Sequence, residues 1–166
     1  MSCTKDPVPD AWKKGNLTYD SSITLATAKR MLDAAEAEAQ KQILLMVIAI
    51  TEVGGNLVAF SRMDNAMLFS IQIAIDKAFT AVSGKIPTEV WRRILQAGKL
   101  PPLFIHERLT PFSGGFPLIK GGKLMGGLVI SGATALGDTT IARAALVAGK
   151  FSTADTDAIL IELKKV

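Results

Sequence analysis

Gly121-Gly122 sits between two apolar runs, Phe116 to Lys120 and Leu124 to Ile130, and constrains this chain more than any other feature. A two-residue glycine turn allows positive φ at both central positions without steric cost, which suits the twist of paired antiparallel strands. The pattern predicts a β-hairpin. Gly126 and Gly127 fall inside its second strand, where a missing side chain marks a bulge or the close approach of another backbone or a ligand. An earlier segment repeats the form: Leu44 to Thr51 is apolar, Gly54-Gly55-Asn56 turns, and Leu57 to Arg62 is a second run ending in charge. A helical pattern follows each hairpin, so strand-turn-strand-helix is used twice within one domain.

The helices are read from apolar spacing. Leu25, Ala28, Leu32, Ala35 and Ala39 recur every three or four residues, predicting an amphipathic helix that starts near Ser21 or Ser22 and covers a sheet. The run Leu44 to Thr51 is apolar on both faces and predicts a central strand, covered by helices or by another subunit. Met67 to Val82 is the most hydrophobic helical pattern, with Leu68, Ile71, Ile75, Ala78 and Val82 on one stripe, and Ser83 to Pro87 ends it. Thr88 is placed to cap a short helix, Glu89 to Ala97, and Gly137 to Thr140 to cap another, Ile141 to Ala148. Ala154 to Val166 reads as a last short helix or tail packed by Ile159, Leu160 and Leu163. Residues 1–16, with Pro7, Pro9 and Gly15, read as an extended arm whose anchor would be Trp12, and 17–166 as a single domain.

Composition narrows the function. A chain of 166 residues can bury an ordinary core without disulfides. It is 49% apolar, yet no run reaches the roughly 18 apolar residues that span a membrane, so the surplus predicts a homo-oligomer, a dimer or larger, or a greasy ligand pocket. Nineteen basic residues against fifteen acidic ones give +4, scattered without a basic block, which argues against a nucleic-acid partner. Cys3 is the single cysteine, which excludes a disulfide framework and a thiolate metal cluster, and its polar setting favours a mobile thiol. The first residues lack the apolar core of a secretory signal, so the expected location is cytoplasmic. Neither dinucleotide nor Walker spacing occurs among the glycines, and no nucleotide cofactor is expected.

A set of residues resembles a known family: Thr51 to Ala66, then Ser70, Lys77-Ala78-Phe79-Thr80-Ala81, and finally Gly114 to Leu118 with Ser131-Gly132-Ala133 and Asp138. Together they are similar to the GlcG/HbpS family of haem-binding proteins, which includes the C-terminal domain of PduO-type proteins, over roughly Leu17 to Gly149. The resemblance implies an α/β (α+β) sandwich, an antiparallel sheet built from two hairpins and covered by helices, assembled into dimers or larger oligomers. It also implies that some members bind haem. The family commonly carries Asp where this chain has Glu52, and a proline-rich stretch holding His106 precedes the second hairpin here.

Polar residues then compete for roles. Lys77 lies on a largely apolar helix, where an ammonium is costly unless partnered, and is the leading candidate to hold an anionic ligand. Arg62 and Asp64 end a strand and either orient a carboxylate or pair with each other. Ser70 and Thr80 offer hydroxyls, or bond back to their own helix. The sole histidine, His106, beside Glu107 and Arg108, is a candidate axial ligand to haem iron or a general acid-base, with Gly114 and Gly115 in the pocket wall. With one histidine and no paired cysteine, a closed metal site is not expected. The expected function is binding of haem or a comparable apolar, anionic small molecule. The alternative is a lyase or isomerase, with Lys77, His106, Glu107 and Asp64 doing proton transfer on a small oxygenated substrate. A purely structural, partner-binding oligomer is a third possibility.

Overall fold

The computed structural model describes residues 22–98 and 106–164. The arm with Cys3 and Trp12, and Pro101 to Ile105, lie outside the described residues. Among the described residues, five helices and four strands run α1 (Leu25–Lys41), β1 (Val47–Thr51), β2 (Leu57–Arg62), α2 (Phe69–Gly84), α3 (Thr88–Gln96), β3 (Gly115–Lys120), β4 (Lys123–Ser131), α4 (Ala135–Gly149) and α5 (Ala154–Leu163). The strands pair antiparallel in the order β2-β1-β4-β3, so the two hairpins meet along β1 and β4. Both hairpins fall where the glycine turns predict, and Gly121 and Gly122 have φ of 56° and 74°, the conformation a two-residue hairpin turn needs. No described helix is long and apolar enough to cross a membrane.

Strand β1 is buried along its whole length because its alternating side chains enter two different cores. Ile48 and Ile50, with Leu128 and Ile130 of β4, pack against Met31 and Ala35 of α1 and Ile141 and Ala145 of α4. Val47, Ala49 and Val129 face Ala74 and Ala78 of α2. The sheet is therefore the middle layer, with α2 on one face and α1, α4 and α5 on the other. Small residues dominate the helix faces that meet it, which lets the backbones come close.

The glycines in β4 carry that closeness. Gly126 has φ +153°, and a Cβ there would lie 2.0 Å from the Thr51 carbonyl oxygen. Leu118 pairs with Gly126 and Ile119 with Leu124, leaving Met125 as the extra residue of a bulge. A Cβ on Gly127 would meet Val82 at 2.8 Å and the Ala78 carbonyl at 3.0 Å, so this glycine seats α2 on the sheet. Glu52 is structural as well: its carboxylate accepts from the Gly54 and Asn56 amides and the Asn56 side chain at 2.8–2.9 Å, and so builds the first hairpin's turn.

The helix starts differ from the sequence expectation. Helix α1 is capped by Thr24, whose hydroxyl accepts from the Thr27 amide, because Ile23 donates to the Met125 carbonyl and is thereby held to the second hairpin. Leu25 is consequently exposed, and Met31 takes the buried place on that face. Thr88 is not a cap: its hydroxyl accepts from the Gly115 amide at 2.9 Å, tying α3 to β3. Helix α4 begins at Ala135, earlier than expected, with Thr134 as its cap. Met67 and Leu68 precede α2, and Leu68, expected on the buried stripe, is 71% exposed.

Gly126→Ala should lower the free energy of unfolding by about 2 kcal/mol or more, since it combines a disfavoured φ with a backbone clash. Urea denaturation checks this. A loss below about 0.5 kcal/mol, the scale of an ordinary surface change, would contradict the close contact with Thr51.

Candidate functional site

Helix α2 carries Lys77 into the protein on a face lined by alanine, where its side chain is 2% exposed. Its Nζ donates to the carbonyls of Ser113 at 2.8 Å and Ile130 at 2.7 Å, and to Asp138 Oδ2 at 3.4 Å. Those three contacts use the three protons of an ammonium. Gly114 makes the arrangement possible: with φ +105°, a Cβ there would lie 2.4 Å from the Ile130 carbonyl and 2.9 Å from Nζ. Asp138, in the first turn of α4, uses its other oxygen to accept from the Ala133 amide at 3.0 Å. Burial pushes the Lys77 ammonium down and the Asp138 carboxyl up to about 6, and their mutual attraction opposes both shifts.

Beside this pair opens a cleft of about 420 Å³. Met67, Phe69 and Ile73, Phe112, and Ala133 and Ala135 form its apolar wall; Ser70, Ser131, Arg92 and the Lys77–Asp138 pair supply the polar groups. Met67, Phe69 and Phe112 are each about half exposed, at 45%, 62% and 53%, so greasy surface flanks the opening. Glu89, buried at the start of α3, holds Arg92 in a two-pronged grip at 2.6 and 2.5 Å and also accepts from Arg93 at 2.9 Å and from the Ser113 hydroxyl. Burial opposes the Glu89 charge, but these hydrogen bonds outweigh it and hold the carboxyl at about 2.

Of the residues singled out from sequence, Lys77 and Ser70 line this cleft, and Gly114 and Gly115 lie immediately behind it. The others do not join them. Arg62 and Asp64 line a separate cleft with Glu36 and Gln40, and Arg62 donates to the Ala66 carbonyl at 2.9 and 3.2 Å in place of the expected pairing with Asp64. Thr80 donates its one hydroxyl proton to the Asp76 carbonyl at 2.7 Å, lies 3.2 Å from the Arg108 carbonyl and accepts from the Thr110 amide at 2.8 Å, so it anchors the segment after His106. His106 is exposed, with its ring 6.0 Å from that of Phe79 in a stacked arrangement. Arg108 covers the same ring at 3.9 Å and approaches Asp76, and Glu107 is exposed.

Sequence reasoning passed over Asp138, Arg92, Glu89 and Ser113. Asp138 read as part of a helix cap, and Arg92 was not singled out within the short helix Glu89 to Ala97. The signal that pointed to Asp138 was Lys77 itself, since a lysine on so apolar a helix requires a buried acceptor.

Removing the lysine tests that pairing. Lys77→Met should cost about 3 kcal/mol at neutral pH, because it leaves a buried carboxylate uncompensated. Asp138 has a raised folded pKa, so its penalty is full above that value and vanishes toward the unfolded one. The deficit relative to wild type should therefore shrink as the pH falls from 7.5 to 4.5. Denaturation at both values checks it, and a pH-independent deficit would contradict the assignment.

Comparison with known proteins agrees with this architecture. Residues 23–147 match the family described as haem degrading protein HbpS-like. An uncharacterized 15.0 kDa protein from the dhaT-dhaS intergenic region of Citrobacter freundii is 35% identical over 129 residues, 76% of this chain and 91% of the relative. Among solved structures, the PduOC–haem complex superposes with a TM-score of 0.75 at 31% identity, covering 80% of this chain and 98% of that one. HbpS superposes at 0.70 and 32%, covering 80% and 94%. The family match over residues 23–147, the identity to a relative covered over most of its length and the superposition on the solved structures leave one assignment: the protein belongs to the HbpS-like family.

Proposed function

We propose that residues 17–166 act as one ligand-binding domain, and that the cleft beside Lys77 binds haem or a similarly flat, apolar molecule with an anionic edge. The observation that carries this is the cleft itself, of about 420 Å³, with aromatic, methionine and isoleucine side chains on its walls and one partly exposed arginine. That volume lies within the range of small-molecule sites, and its mixture of apolar wall and few polar groups suits such a ligand. The solved complex of a relative with haem supports the same reading. The residues suit the group: Met67, Ile73 and Phe112 would face the porphyrin body and Arg92 a carboxylate. Bound haem would add an iron centre that ligates small molecules or changes oxidation state. His106, packed on Phe79, is not among the lining residues, and Met67 is the lining residue with a soft donor atom.

The exposed Met67, Leu68, Phe69 and Phe112 also favour association with a second copy, in a cytoplasmic setting, since so much grouped apolar surface is unusual on a monomer. Light scattering at micromolar concentration should return at least twice the 17.6 kDa chain mass. A steady monomer would remove that part of the proposal.

Haemin titration followed by absorbance tests the main reading: binding should saturate at one per chain, and Phe112→Ala should weaken it several-fold. His106→Ala should leave the bound spectrum unchanged. Non-saturating uptake by wild type, indifferent to Phe112→Ala, would end the proposal.

Asp138 favours a second reading. A carboxyl at about 6 in a cleft wall is poised for proton transfer near neutrality, as a lyase or isomerase would require. Lys77 would then stabilise the Asp138 carboxylate, while His106, Glu107 and Asp64 are not among the residues that line this cleft. If this holds, Asp138→Asn should abolish turnover of a small oxygenated substrate while leaving haemin affinity within about twofold; unchanged turnover would eliminate it.

A further inference from the structure

We propose that Arg92, and not Lys77, is the residue that takes the ligand's carboxylate, so that the cleft selects apolar molecules bearing a free acid over their neutral counterparts. This rests on the ligand-binding reading of the cleft and names the chemistry that its polar end recognises. Two cations line the cleft among the described residues, and they differ in what they have left to give. Lys77 is almost wholly buried, and its three protons are directed at Ser113, Ile130 and Asp138. To meet a ligand it would have to abandon buried acceptors, which is unfavourable.

Arg92 is built the other way. Its side chain is 29% exposed, and of the five N–H donors of a guanidinium, Nε and one on Nη2 are used by Glu89. Three remain for a ligand. The contacts with Glu89 also fix the plane of the fork, because Glu89 is itself held by the Ser113 hydroxyl and by Arg93. A preoriented guanidinium loses little freedom on binding and matches a carboxylate through two parallel bonds.

The surroundings favour the same assignment. Glu89 is shared by two arginines, while Arg93 is further balanced by Glu162, so the group is near neutral and recognition depends on donor direction more than on net charge. The hydroxyls of Ser70 and Ser131 line the same cleft, and neither has a side-chain hydrogen bond to another described residue. They can complete the solvation of an acid group that Arg92 holds.

The experiment compares haemin with haemin dimethyl ester, in which both carboxylates are masked, on wild-type protein, Arg92→Gln and Arg92→Lys. Wild type should bind haemin roughly tenfold or more tightly than the ester, the scale of a charge-assisted hydrogen bond. In Arg92→Gln that preference should vanish through weaker haemin binding, with ester affinity unchanged; Arg92→Lys should fall between them because it keeps charge and loses the fork. Equal binding of acid and ester by wild type, or a preference that survives in Arg92→Gln, overturns the proposal and leaves haem binding standing. Saturable binding of neither compound ends the cleft reading and this proposal with it. If Arg92→Gln no longer unfolds cooperatively, Arg92→Lys decides: reduced preference supports the assignment and undiminished preference overturns it.

Discussion

The buried ammonium of Lys77 is the constraint around which the site is arranged. A lysine with no exposed end has to find acceptors, and here they come from three separate parts of the chain: the Ser113 and Ile130 carbonyls and the Asp138 carboxylate. One side chain thereby joins α2 to the lead-in of β3, the end of β4 and the first turn of α4. Such a pair contributes modestly to net stability, because desolvation of both charges offsets their attraction. Its effect is geometric. The β4–α4 turn and the Ser113 segment, which form two walls of the cleft, are held at fixed positions relative to α2.

Glycine makes that convergence sterically possible. At Gly114 a side chain would strike the Ile130 carbonyl and crowd both members of the ion pair; at Gly127 it would push α2 off the sheet. The positions that look permissive in sequence are thus the most restricted in space. Glu89 performs a similar joining role at the other side of the cleft, through Ser113 to the β3 lead-in and through Arg92 to the opening. Two buried acids, each satisfied by hydrogen-bond donors, therefore frame one cavity, and their carboxyls are driven in opposite directions, Asp138 upward by burial and Glu89 downward by its hydrogen bonds.

Much of the fold was legible because its signals are local. Strand alternation, glycine turns and helical spacing each depend on a few consecutive residues, and they located both hairpins and the order of the elements. The errors came at helix starts, where several Ser and Thr residues compete for one role. Thr24 and Thr134 act as caps, whereas Thr88 turns inward to the Gly115 amide; each choice depends on what a distant strand offers. The site was partly legible. Lys77 stood out as a charge on an apolar helix, but the grouping of His106, Glu107 and Asp64 with it rested on chemistry without positions, and the fold separates them.

What the sequence by itself determined was the pair of hairpins, the central buried strand and the need for a partner to Lys77, because periodicity, turn glycines and the cost of an unpaired buried charge are properties of residues and their near neighbours. Only the tertiary structure decided which acid answers Lys77, 61 residues further along, and that Arg92 faces the cleft while Arg62 faces another. Those outcomes depend on how α2, β4 and α4 stack across the sheet. Such packing is settled by the sum of many small contacts over long sequence separations, and no local pattern records it.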